Sequence, residues 1–236
     1  MQLTSPDVEL KVKLWSDLQN EIVGCRKCPR LVKFREKVAR ERKREFHDFE
    51  YWGRPVPSFG SPNARLIIIG LAPAAHGGNR TGRMFTGDGS SKFLFKHLHA
   101  SGFAIQPSSE RRDDGQKLID CYITATLHCV PPDNRPTRME IERCSEYLAR
   151  ELPMLDNSKA ILALGKIAFD SIIDFARDCY SAEGKFVFSH GERFKVAENF
   201  PLVYASYHPS PRNTQTGKMT GKMFLKVLIM IKKDLN

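Results

Sequence analysis

Four short runs of aliphatic and β-branched residues recur along the chain: "RLIIIGL" (65–71), "DCYITATL" (120–127), "KAILALG" (159–165) and "LVYASYH" (202–208). Each is long enough for a strand buried on both faces and too short for a helix crossing the same core. Between them the apolar period lengthens to that of a helix. "SSKFLFKHLHASG" (90–102) ends at Gly102, and "TRMEIERCSEYLAREL" (137–152) opens with Thr137 and Glu140 at capping-box spacing. "KIAFDSIIDFA" (166–176) spreads Ile167, Phe169, Ile172, Ile173 and Phe175 over a broad apolar face. Strands alternating with helices in this way predict an α/β fold, a parallel sheet with both faces covered.

The flanks elaborate that core. "VELKVKLWSDLQNEIVGC" (8–25) and "TGKMFLKVLIMIKKDL" (220–235) read as amphipathic helices, the second with Lys232 and Lys233 near its negative end. "KFVFSHGERFKV" (185–196) predicts a small hairpin turning around Gly191, and "YWGRPVPSFGSPN" (51–63) a Pro- and Gly-rich linker that its aromatics could order. There is no internal repeat and no low-complexity tract. One domain over residues 1–236 with an N-terminal helical extension is expected.

Charge narrows the class of partner. The chain has 236 residues, 41% of them hydrophobic, which suffices for a core, and a formal net charge of +10. "RKCPRLVKFREKVARERKR" (26–44) alone holds ten Lys or Arg against two Glu, an excess of eight. Clustered cations gain affinity by displacing counterions from a polyanion. The same segment also reads as a solvated amphipathic helix with Leu31, Val32, Phe34 and Val38 turned inward. No opening segment resembles a signal peptide and no run approaches the ~18 apolar residues of a membrane span, so a cytoplasmic protein is expected.

In a reducing compartment six cysteines are read as metal chemistry or filler rather than disulfides. Cys25 and Cys28 form a Cys-x2-Cys pair, and Cys129 and Cys144 a wider one, the latter on the helix opened by Thr137. Together they could close a tetrathiolate site for zinc or for an iron–sulfur cluster, and spacing does not choose between these. Cys121, inside a strand, and Cys179 read as ordinary residues.

Ligands of such sheets sit beyond the carboxyl ends of the strands. Three polar segments occupy those ends: "APAAHGGNRTGRMFTGDGS" after the first run, "HCVPPDNRPT" after the second and "SYHPSPRNTQTG" at the last. A phosphate-loop nucleotide enzyme is disfavoured, because the first segment has neither G-x-G-x-x-G nor a Gly-Lys-Ser/Thr ending. A nonenzymatic nucleic-acid binder would use the basic segment but would leave His208, Phe85 and Asp88 on one rim without purpose.

With "GLAPAAHGGNRTGRMFTGD" (70–88), "HCVPPDNRPT" (128–137), "YHPSPRN" (207–213) and the four cysteines in this order, the chain resembles the uracil-DNA glycosylase superfamily, most closely its family 5, or type B, iron–sulfur branch. The resemblance spans roughly residues 20–230. It implies a three-layer αβα fold around a four-stranded parallel sheet, and a [4Fe-4S] cluster on Cys25, Cys28, Cys129 and Cys144. It further implies a monofunctional repair enzyme that flips uracil or another deaminated base out of double- or single-stranded DNA and hydrolyses its N-glycosidic bond. A nucleoid-associated monomer fits that role; a sliding clamp is left open as a partner.

The chemistry assigns roles to individual residues. Breaking a base–sugar bond creates an anionic base and an oxocarbenium-like sugar together. His208, held between stiff prolines, can donate to the developing charge on the base carbonyl. The resemblance implies that Phe85 stacks on the extruded base. Asp88 can polarise a water or stabilise the sugar cation, and reads equally as the cap of the following helix. Asn134 has donor and acceptor for the site, and is also a natural turn residue before Arg135-Pro136. "GLAPA" offers no polar group for water, so Ala74 is expected simply to lie against the base. "ITA" carries Ala125 where strict uracil readers have asparagine, which implies a broader range: uracil, and hydroxymethyluracil, ethenocytosine, hypoxanthine or xanthine. Arg212 is expected to push into the vacated helix, with Asn213, Arg80 and Arg83 at phosphates.

Overall fold

Alternate residues of the central strands are divided between two cores. The structure is a computed structural model that describes residues 6–236. Strands β2 (Leu66–Gly70), β3 (Cys121–Ala125), β4 (Ala160–Leu164) and β6 (Leu202–Ser206) are the four apolar runs of the sequence, and they pair in parallel in the order β3-β2-β4-β6. Leu66 and Ile68 face one side, where α4 (Gly89–Ala100) and α8 (Gly221–Leu235) cover them with Leu94, Phe95, Phe224, Val227 and Leu228. Ile67 and Ile69 face the other, under α5 (Arg138–Glu151) and α6 (Lys166–Tyr180), which contribute Leu148, Phe169, Ile172 and Ile173. Strands that are buried at nearly every position, and apolar but for the small hydroxyl residues Thr124 and Ser206, are the consequence of both faces being covered. The protein is therefore a three-layer α/β fold.

Two short additions extend the parallel sheet to six strands: β1 (Phe59–Gly60) pairs antiparallel with β3, and β5 (Arg193–Phe194) antiparallel with β6. The second corrects the hairpin expected over 185–196. Residues 185–192 form no strand; β5 takes β6 as its partner, with Phe194 opposite Val203. The reason is aromatic packing. Phe188 and Phe194 both set their rings against Phe169 of α6, so that stretch spends its apolar side chains on the helix instead of on a backbone ladder.

The helix starts follow their caps. Asp88 caps α4 and Thr137 caps α5, the latter reciprocated by Glu140 as its spacing predicts. At the N-terminal end, α1 (Pro6–Gly24) packs Leu18 and Ile22 on Tyr147 of α5. Helix α2 (Pro29–Glu41) is the basic segment. Its inward stripe is Leu31 and Arg35, with Val32, Phe34 and Val38 only half-buried, so an arginine sits where an all-apolar face was expected.

The linker over 51–63 is ordered. Trp52 donates its backbone N–H to Arg80 and its indole N–H to the Pro55 carbonyl. It leads to a buried polar knot around Glu151, which is 0% exposed. One carboxyl oxygen of Glu151 accepts from Gln19 Nε2 (2.8 Å), Ser58 Oγ (2.6 Å) and Tyr122 Oη (2.6 Å), and the other from Thr124 Oγ1 (2.7 Å). One side chain thus joins α1, the linker, β3 and α5. Glu151→Ala strands these donors in the interior and is expected to lower stability by about 3 kcal/mol, read as a shifted urea midpoint at unchanged slope. A shift under about 0.5 kcal/mol would show that the knot contributes nothing net.

Candidate active site

Strand β2 ends on a residue with no side chain, and a phenyl ring occupies the space. A Cβ placed on Gly70 would lie 2.8 Å from two ring carbons of Phe85. Phe85 itself is held at φ 45°, between Gly82 (φ 73°) and Gly87 (φ 77°). A bulky residue in the left-handed region is strained and persists only where its surroundings fix it. Here the strand end fixes it.

Asp88 follows on the same loop. Its Oδ1 accepts from Ser91 N at 2.8 Å, and its own N–H donates to Ser91 Oγ at 3.0 Å, completing a capping box. The other oxygen faces Gly77, where a Cβ would come within 2.2 Å of it. Burial pushes the Asp88 carboxyl above the ordinary range, opposed by the amides of Ser91 and Ser90 and by the charge of Arg80. The residue is both cap and pocket wall, so the two readings of the sequence hold together.

His208 comes from the opposite side of the sheet, just beyond β6. Its carbonyl accepts from Asn213 Nδ2 at 2.8 Å, and Ser210 caps the short helix α7 (Pro211–Gln215) that follows. Burial depresses its pKa to about 4, so the imidazole is neutral near pH 7. The Phe85 and His208 rings stack at 5.9 Å between centroids with an interplanar angle of 30°. Asn134 completes the group from a tight turn in which Asp133 (φ 54°) and Asn134 (φ 55°) are both left-handed.

Phe85, Asp88, Asn134, His208, Ala74 and Arg212 all line one cavity of about 470 Å³ at the carboxyl ends of the strands. Leu71, Ala72, Pro73 and Met84 make its walls largely apolar, and Ser90, Ser210 and Pro211 close its rim. Met84, Ser90 and Ser210 were not singled out in the sequence, although each lies within or beside a motif that was. Arg212 is exposed at that rim. A second cavity shares Ala74, Asp88, Gly89 and Asn134 and opens toward Lys43 and Lys92.

Three of the expected contact residues, Arg83, Arg80 and Ala125, are turned inward. Arg83 is 6% exposed; its guanidinium is held by Asp114 (2.7 Å), Ser109 Oγ (2.8 Å) and Thr86 Oγ1 (3.0 Å), so it braces the Phe85 loop instead of meeting phosphate. Arg80, also 6% exposed, donates to the carbonyls of His76 and Gly87 and stacks on Phe46 at 4.1 Å. Both guanidinium groups find internal partners that outcompete solvent. Asn213, half-buried next to Arg212, donates its side-chain amide to the His208 carbonyl and stays beside the rim of the cavity. Ala125, 1% exposed and paired with Gly70 across the sheet, lies in the core cluster that contains Phe85 and does not line the cavity.

The four paired cysteines come together at a separate place. Cys25, Cys28, Cys129 and Cys144 line one small cavity with His128, Arg143 and Tyr147. Burial raises the thiol pKa of Cys28 and Cys144, and that of Cys129 to about 11, with the sulfurs adding to one another's effect. Among the described residues no group of three or more His, Cys, Asp or Glu is arranged to hold a metal ion. Arg35 and His128 each keep a buried nitrogen without a partner beside these cysteines. Arg35 was missed in the sequence; its signal was an arginine four residues after Leu31 on the apolar stripe of α2.

These features define an α/β protein with a nucleobase-sized pocket built on strand ends. The family model described as the uracil DNA glycosylase superfamily matches residues 57–232. The chain is 45% identical to the type-5 uracil-DNA glycosylase of Pyrobaculum aerophilum, over 91% of this chain and 90% of that protein. It is 44% identical to the protein of the same description from Thermus thermophilus, over 90% and 94%. A type-4 uracil-DNA glycosylase of Archaeoglobus fulgidus is 30% identical over 67% of this chain. The chain belongs to the uracil DNA glycosylase superfamily, and the relatives that match it over nearly their whole length are of type 5.

Two outcomes are expected of the site. Gly70→Ala pushes the Phe85 ring out of position, costing about 1–3 kcal/mol of stability and lowering turnover by far more than Ala at a distant strand residue; unchanged kinetics would show the ring to be free. His208 takes up no proton in the folded protein between pH 8 and pH 5, while the unfolded chain does so near 6.5. Its contribution to stability is therefore complete above about pH 6.5 and declines toward pH 4. An NMR titration of the imidazole should give a midpoint near 4, and one near 6.5 contradicts the burial.

Proposed function

We propose that the protein removes uracil from DNA by hydrolysing its N-glycosidic bond, and that this pocket is where the reaction occurs. The observation that carries the reading is the meeting of Phe85, His208 and Asp88 around one cavity. The cavity is lined by the loops that follow the strands, and a base is presented to these groups only after leaving the stack, at a cost of a few kcal/mol that falls for mispaired bases. Phe85 offers a face to the everted base. As the bond from C1′ breaks, its electron pair moves onto the base, and the neutral His208 donates an N–H to the carbonyl oxygen where that charge collects. Asp88, with Asn134 across the cavity, holds the water that adds to C1′ and stabilises the cationic sugar. The products are free base and an abasic site. This is the chemistry of a monofunctional hydrolase, in which water and not an amine takes the sugar, so that no Schiff base forms.

The apolar walls support a wide range, since they discriminate by shape more than by hydrogen bonds. Hydroxymethyluracil, ethenocytosine, hypoxanthine and xanthine are candidate substrates beside uracil. Arg212 at the rim is placed to enter the gap left by the base. No helix among the described residues is long and apolar enough to cross a membrane, and a cytoplasmic, DNA-associated protein fits the basic charge.

The four cysteines are proposed to hold a [4Fe-4S] cluster. What supports this is that all four cysteines line one cavity; a cluster several ångströms across does not require its ligands to meet at one point. When bound, it would tie the turn before α2, the end of β3 and helix α5 into one unit.

Incubation with a uracil-containing duplex, followed by alkali, should cleave the strand at the abasic site. His208→Ala should lower single-turnover excision by about 10²–10³-fold, the scale of one lost donor to a developing anion. Binding should weaken steeply with salt. Absence of cleavage in the wild type overturns the assignment, and full activity in His208→Ala overturns the role of the imidazole.

A further inference from the structure

Arg35 is among the largest fully buried side chains of the protein, at 2% exposure. Its Nη1 donates to Cys129 Sγ at 2.9 Å and its Nη2 to the Cys25 carbonyl at 3.2 Å. Its Nε is buried with no partner. Among the described residues no carboxylate pairs with it; Glu36, one residue on, is bound to Arg26 at 2.6 Å on the surface. A guanidinium is always charged, and although Glu36 feels the charge of Arg35 it forms no ion pair with it, so the buried cation is left without a bound carboxylate. The chain has therefore either accepted the cost of burying an unpaired charge or placed the anion where no carboxylate is needed. The sulfur of Cys129 and the carbonyl of Cys25 are the groups that the guanidinium touches.

We infer that Arg35 is the buried counter-cation of the four-cysteine site, acting at Cys129 as the more exposed Arg143 does at Cys28: it neutralises part of the negative charge of a thiolate-ligated iron–sulfur cluster and raises its reduction potential. The inference rests on the cluster reading of the cysteines. A hydrogen bond and a positive charge at a ligand sulfur favour the more negative, reduced state, and so raise the potential. Arg35 also reaches the active-site loop. Its carbonyl accepts from Asn79 Nδ2 at 3.3 Å, on the short helix α3 (Gly78–Thr81) between the apolar wall and Phe85. It is a positioning residue that touches no substrate.

The test uses purified wild type, Arg35→Met and Arg35→Lys, each with iron content, visible absorption and a potential from film voltammetry on DNA. Arg35→Met should shift the reduction equilibrium at least tenfold toward the oxidised cluster, about 59 mV more negative for one electron, and release iron to a chelator at least tenfold faster. Arg35→Lys, which keeps the charge but loses the fork, should fall between. An unchanged potential in an iron-loaded Arg35→Met protein overturns the inference and leaves the cluster reading intact. A wild type without iron overturns both. Should the Arg35 variants fail to load, reduced Arg143→Lys protein carrying ¹⁵N-arginine, in which the other guanidinium beside the cysteines is gone, must show hyperfine coupling from guanidinium nitrogen to the cluster spin; its absence is equally decisive against Arg35.

Discussion

The pocket depends on one close approach, that of the Phe85 ring to the last peptide of β2. Gly70 permits it by lacking a side chain, and the ring in turn carries a backbone conformation that its own residue type disfavours. Everything on the loop from Gly82 to Asp88 is placed by that contact. Arg83 and Arg80 brace the loop from behind through Asp114, Ser109 and the His76 and Gly87 carbonyls, so the strain at Phe85 is opposed by hydrogen bonds a few residues away. The far wall is built differently: His208 stands on a strand end and is fixed by Asn213 and the cap of α7. Two independent supports meet across one cavity, which is how a rigid constellation arises from flexible side chains.

Much of this was legible before any coordinate. The central strands were, because burial on both faces leaves them free of charged residues, and so were the helices that open with Asp88 and Thr137 caps. Phe85, Asp88, Asn134 and His208 stood out because polar, Gly- and Pro-rich loops have no packing use for them. The arginines were not legible. Whether a guanidinium meets phosphate or folds back depends on partners far along the chain, such as Asp114 for Arg83 and Cys129 for Arg35, and local pattern carries no trace of such pairs. β5 was misplaced for a similar reason: the competition between Phe169 packing and strand pairing is decided in three dimensions.

The inward turn of these arginines changes how the formal charge of +10 is to be understood. Part of it is structural cement, unavailable to a polyanion. The share that DNA can meet is correspondingly smaller and lies on groups such as Lys43, Lys92 and Arg212, which flank the two joined cavities.

The mouth of the pocket has a hard perimeter. Gly89, at the start of α4, meets the Pro211 ring so closely that an added Cβ would stand 2.7 Å from it. The two loops carrying the catalytic groups touch there by backbone and pyrrolidine, neither of which can swing aside as a long side chain would. The separation of the Asp88 loop from the His208 loop is therefore set at that point by covalently stiff parts of the chain, as a bolted hinge sets a door, and not by the rotamers of the side chains that face each other inside.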